Sequence, residues 1–255
     1  MGVVAALAGQ MLREQSRRRA YLLILLFGGA LLYSSILVGV LAVDQELRVL
    51  MDLGLALIEL TVLAAAVHGA ATSVLEDMES KTVYLILTRP LGKWQYLLGR
   101  FFGLVGTAVL AGGAMGVLHL GLLWAKGWAW QGAYGAALLG GLLKVVVISS
   151  LATFFALFST SVVSAICMTG FLWLLGHFLP EVTFLLSRDA SPGASVVKAT
   201  LYLVPNLQLF NLRDRLEVPG ASLGALDLLV PMGYAATYVG VALSLALWLF
   251  SRKEF

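Results

Sequence analysis

A chain of 255 residues that is 60% hydrophobic and 12% charged, with mean hydropathy +0.93, is not an ordinary soluble domain; such domains carry about 25% charged residues. The composition fits an all-α polytopic membrane protein. The formal charge of +3 then bears on orientation in a bilayer rather than on nucleic acid, and the single Cys167 excludes an internal disulfide framework.

Residues 1–19 set Val4, Leu7, Met11 and Leu12 against Gln10, Arg13, Glu14, Arg17 and Arg18. That spacing predicts an amphipathic interface helix whose basic residues face anionic headgroups; a frayed tail is the other reading. Arg13, Arg17, Arg18 and Arg19 precede a full-length apolar segment, so we expect an uncleaved anchor. Residues 20–43 are uncharged for 24 residues, enough at about 1.5 Å each to cross a bilayer core. Asp44, Glu46, Arg48 and Asp52 predict a short polar loop before a second span at 53–75, which contains Glu59 and His68. The third span covers 101–125, and Lys126 with Trp124, Trp128 and Trp130 marks an interface. Residues 145–180 then run 36 positions without a charge, too long for one span of about 20 residues. Ser159-Thr160-Ser161 divides them into spans at 132–158 and 161–180, since hydroxyls can satisfy backbone groups in a tight turn. The sixth span covers 228–250, followed by a short basic tail.

Six spans put both termini on one side. That side carries ten basic residues in its loops and ends and the other carries six, with Lys144 inside a span; the excess predicts cytoplasmic termini. Residues 181–227 are then extracytoplasmic. Its stretch Val196 to Phe210 is apolar around Pro205, with Asn206, Asn211 and Arg213 in and after it, which predicts short re-entrant or interface-lying helices, with a mobile loop as the alternative.

Between the second and third spans, residues 76–95 hold an acidic group (Glu76, Asp77, Glu79), then Lys81, Thr82, an apolar set around Leu85, and Arg89-Pro90. The acidic residues suit a helix N-terminus, and Pro90 disfavours helix at Arg89. Lys93, Trp94 and Tyr96 follow as an interfacial girdle. This predicts an amphipathic elbow on the membrane surface; an ordinary basic loop has the same composition.

The order of Glu79, Lys81-Thr82, Leu85 to Leu87, Arg89-Pro90, Trp94, Tyr96 and Leu98-Gly99-Arg100-Phe101 resembles that of permease subunits of the ABC-2 type transporter family. The basic entry helix, the helical segment before the last span and the basic tail are similar too. The resemblance implies that the elbow is engaged by a cytoplasmic ABC ATPase subunit, that ATP and Mg bind in that partner, and that no cofactor resides in this chain. It also implies a homodimer, or a dimer with a paralogous permease, in the bacterial inner membrane. The task implied is export, or service to a periplasmic protein.

The residues themselves hold no P-loop: the Gly-Lys pair Gly92-Lys93 is followed by Trp94. His68, His119 and His177 lack ligand spacing, and Ser149-Ser150 lacks the glycines of a serine nucleophile turn. Glu59 and Lys144 stand out because charges within spans face a partner or a pathway. Their depths allow pairing, either as a structural ion pair or in gating. An ion-coupled carrier or channel using these two residues, and a membrane scaffold that transports nothing, are the competing function classes. The many glycines of the third and fourth spans predict close helix packing or a dimer seam.

Overall fold

The computed structural model describes residues 2–41, 45–80, 92–188, 191–213 and 224–252. Among these the elements are helical throughout: α1 (Gly2–Arg17), α2 (Arg19–Leu41), α3 (Glu46–Glu79), α4 (Lys93–Ala125), α5 (Gly132–Phe158), α6 (Val162–His177), α7 (Leu179–Ser187), α8 (Pro192–Leu201), a 3₁₀ turn (Leu207–Phe210) and α9 (Ala225–Arg252). Helices α2, α3, α4, α5 and α9 are each long and apolar enough to cross a membrane, and α6 with α7, bent by 60° at their junction, is either a broken sixth span or a re-entrant pair. The protein is an all-α polytopic membrane protein.

Helix α3 is the axis. It packs against α2, α4, α5 and α6, and its Ile58, Val62, Ala66 and Ala70 join Leu104, Ala108, Ile148 and Ala152 in the main core. The outward sides of α2 (Leu22, Leu23, Leu26, Phe27) and α9 (Val241, Leu245, Trp248) are apolar and exposed, as lipid contact requires. One end of the bundle gathers α1, the end of α3, the start of α4 and the end of α9, where Tyr96 stacks on Phe250 at 5.7 Å. The other end gathers the Trp128–Tyr134 region and the segment 203–213.

Four local expectations change. Residues 46–52 are helix rather than loop: Arg48 and Asp52 stand at i, i+4 spacing, and Glu46 is held by Lys126 at 2.6 Å. Helix α3 is therefore 34 residues long, about 50 Å, against a hydrocarbon core of about 30 Å. Next, Glu76, Asp77 and Glu79 do not open a helix; they form the last turn of α3, because nothing between Leu75 and Met78 breaks it. The fifth span is not straight. It bends at Phe178, with Pro180 in the first turn of α7, where a proline lacks the N–H needed to continue a helix. Finally, α1 is docked rather than loose. Its Leu7 and Met11 lie on Gly99 and Gly103 of α4, and a Cβ on Gly103 would stand 2.5 Å from Met11 Cβ and 2.6 Å from the Ala8 carbonyl. Between α5 and α6, Ser159 Oγ donates to the Ser161 carbonyl and Ser161 Oγ accepts from Ser164 N.

Gly103→Ala should lower the melting temperature in detergent, since overpacking costs about 1–3 kcal/mol. Gly113→Ala, where a Cβ meets nothing within 4 Å, should melt like the wild type. Equal melting of both variants would contradict the docking of α1 on α4.

Candidate functional site

Two groups of charges lie at opposite levels of the bundle. The first closes the end that holds the N-terminal helix. Asp77, buried in the last turn of α3, is hydrogen-bonded by Tyr96 and ion-paired with Arg100 on α4. Arg100 also donates to Glu14 of α1 at 2.8 Å. Glu14 holds Arg18 at 2.6 Å, and Arg18 reaches Glu76 at 2.7 Å. The chain of contacts Tyr96–Asp77–Arg100–Glu14–Arg18–Glu76 thus ties α1, the α1–α2 junction, α3 and α4 together.

Carboxylates at a helix C-terminus oppose the macrodipole; here Arg18 and Arg100 neutralise them. Burial works against the Glu14 carboxylate, but its hydrogen bonds and charge contacts with Arg18 and Arg100 outweigh that, so its pKa lies below the ordinary carboxylate value. Burial likewise disfavours the Arg18 cation, and Glu14 and Glu76 reverse the effect and raise its pKa. Glu79 is exposed at the end of α3. Lys81, Thr82, Leu85, Arg89 and Pro90 lie outside the described residues. The chain re-enters at Gly92, whose N–H is capped by Gln95 Oε1 at 3.0 Å.

The second group lies deep in the bundle. Lys144, 2% exposed, sits 3.2 Å from Glu59. His177 Nε2 and Arg213 Nη2 each lie 3.9 Å from the same carboxylate. One acid from α3 thus faces a lysine on α5, the last residue of α6 and a residue beyond the 3₁₀ turn. Segment 203–213 is held in place by shape as well as by charge. Leu207 and Phe210 are buried. The Pro205 carbonyl lies where a Cβ on Gly176 would stand, 2.6 Å away, and the Phe210 carbonyl abuts Gly140. Asn206 Oδ1 accepts from Gln208 N, its own N–H donates to Tyr234 at 2.9 Å, and Gln208 Nε2 donates to the His177 carbonyl at 3.1 Å. Asn211 Oδ1 accepts from Arg213 Nε at 3.2 Å.

In the sequence Glu59 stands out with Lys144, and Arg213 belongs to a separate outer region; the structure brings all three together. The sequence did not mark His177 as part of this group; its position three residues before Pro180 was the available signal. Nor did it mark Glu14 and Arg18 as partners of the acidic turn, although their i, i+4 spacing marks an ion pair.

A family profile described as ABC-2 family transporter protein matches residues 53–249, from within α3 to the last turns of α9. The chain belongs to the ABC-2 transporter family. It is a membrane-spanning permease subunit of an ABC-type transporter, a non-catalytic component by family. A comparison with curated protein sequences gave no match. In this ABC-2 permease the matched region contains Glu59, Asp77, Tyr96, Arg100, Lys144, His177 and Arg213. Glu14 and Arg18 lie before it, so the first charge group joins the family core to an element outside the match.

In the permease, Glu59→Gln or Lys144→Met alone should each destabilise by about 3–5 kcal/mol, because either change strands a buried charge. The double variant should lose less than the sum. Additive losses in a double-mutant cycle of detergent melts would show that the pair contributes no coupling.

Proposed function

We propose that this permease is the membrane half of an exporter driven by a separate cytoplasmic ATPase, which binds the ATP and Mg. On this reading the termini, α1 and residues 81–91 face the cytoplasm of a bacterium and the protein lies in its inner membrane, as the basic asymmetry of the loops supports. Two permease copies, or one copy and a paralogue, enclose the transport path and alternate its access; whether a free substrate or a periplasmic protein is served follows from the cargo.

The observation that carries this reading is the chain of ion pairs through Asp77 and Arg100. In the sequence, residues 81–91 follow Glu76 and Asp77 and precede Tyr96 and Arg100. A load applied there by an ATPase would pass to α1, α3 and α4 together rather than being absorbed in one helix end. Helix α3 then extends that displacement to Glu59 and its contacts with segment 203–213.

Glu79→Lys and Leu85→Asp test the docking. Glu79 is exposed at the end of α3 and Leu85 falls between the second and third spans in the sequence, so the permease should insert and melt as the wild type does. Leu85→Asp places a charge in a contact that should be apolar, at a cost of several kcal/mol, so ATPase co-purification and stimulated ATP hydrolysis should disappear. A Leu85→Asp permease that still retains a full complement of ATPase would overturn the proposal. Transport that survives without any ATPase would instead favour an ion-coupled carrier centred on Glu59 and Lys144.

A further inference from the structure

The apolar side of α1 is occupied by protein: Met11 and Gln15 are fully buried, and Leu7 lies on Gly99. Its acidic residue, Glu14, is engaged by Arg18 and Arg100. What remains outward, on the side opposite Met11 and Gln15, is Arg13 and Arg17, one turn apart, followed by Arg19 at the start of α2. All three are exposed, and their side chains make no hydrogen bond or ion pair among the described residues. Other cations at this end are engaged: Lys93 donates to the Ser251 carbonyl at 3.2 Å, and Arg252 stacks on Trp248 at 4.5 Å.

One turn beyond Arg19 the exposed surface becomes apolar, with Leu22, Leu23, Leu26 and Phe27 each more than half exposed. The three arginines therefore stand where the hydrocarbon-facing surface of α2 begins, at the level of phospholipid headgroups. We propose that Arg13, Arg17 and Arg19 form a docking surface for anionic phospholipid headgroups, held by charge alone. An amphipathic helix ordinarily binds a membrane by inserting its apolar side. Here that side is already packed on α4, so recognition rests on the guanidinium groups and should be sensitive to salt. Lipid bound there would lie beside Arg18 and Glu14, and so beside the ion pairs that lead to Asp77.

The test is the stabilisation of the full chain in detergent by phosphatidylglycerol, measured as the lipid concentration that gives half of the rise in melting temperature. Phosphatidylcholine is the neutral reference. For the wild type, phosphatidylglycerol should act at lower concentration, and salt at about 0.5 M should weaken the preference. The variant Arg13→Gln/Arg17→Gln/Arg19→Gln should melt as the wild type does without added lipid, and should need about tenfold more phosphatidylglycerol or higher. Should that variant misfold, Arg13→Lys/Arg17→Lys/Arg19→Lys keeps the charge and should retain the wild-type preference; its loss would overturn recognition by charge alone. A triple Gln variant with the wild-type lipid response overturns the proposal. So does equal stabilisation of the wild type by sodium phosphate, which would make free anions sufficient. Loss of ATPase co-purification with an unchanged lipid response would assign the face to the ATPase and likewise overturn it.

Discussion

A buried carboxylate at the negative end of a helix is the constraint around which one end of this permease is built. Asp77 is placed against the dipole of α3 and away from water, and it is met there by Arg100, which comes to it from α4, and by Tyr96, which donates to it. Arg100 has more N–H donors than Asp77 accepts, and its other terminal nitrogen donates to Glu14. That contact fixes α1 against α4, where Gly99 and Gly103 make the approach possible. Three helices and a junction are thereby joined through shared charges, with the Asp77–Arg100 contact the buried centre of the group.

The same logic recurs around Glu59, with a different consequence. Lys144 lies closest, while His177 and Arg213 stand further off. Segment 203–213 thus meets the core through a carboxylate that keeps its lysine whether or not Arg213 remains near. Movement of that segment would not leave Glu59 alone, and this is a physical reason why one acid is faced by two cations, Lys144 and Arg213. Backbone contacts at Gly140 and Gly176 define the seat into which the segment returns.

Apolar run lengths and the serine break made the long apolar helices legible in the sequence, because hydrocarbon thickness translates directly into residue number. Glu59 and Lys144 were visible for a related reason: a charge inside an apolar run demands an explanation. Helix ends were less legible. Arg48 and Asp52 have the composition of a loop, and only their spacing favours helix; the acidic turn after Leu75 suits a helix start in isolation and became an end because Arg18 and Arg100 compensate it. Arg100 lies 23 residues beyond Asp77, and no local pattern encodes that meeting. Nor could the stripe of Leu7 and Met11 say whether it faces lipid or another helix, since both offer an apolar surface. The bend at Phe178 was written in Pro180, which the length of the uncharged run concealed.

The central claim is that α1, the end of α3 and the start of α4 move as one body. Pulsed spin-label distance measurement between Gln10 on α1 and Phe102 on α4, both exposed, tests it in a chain with Cys167 replaced by Ser. The account predicts one narrow distance, the same in the nucleotide-free and ATP-trapped complexes, and a broadened distribution in Arg100→Gln. A wild-type distance that shifts or splits on ATP trapping would contradict it.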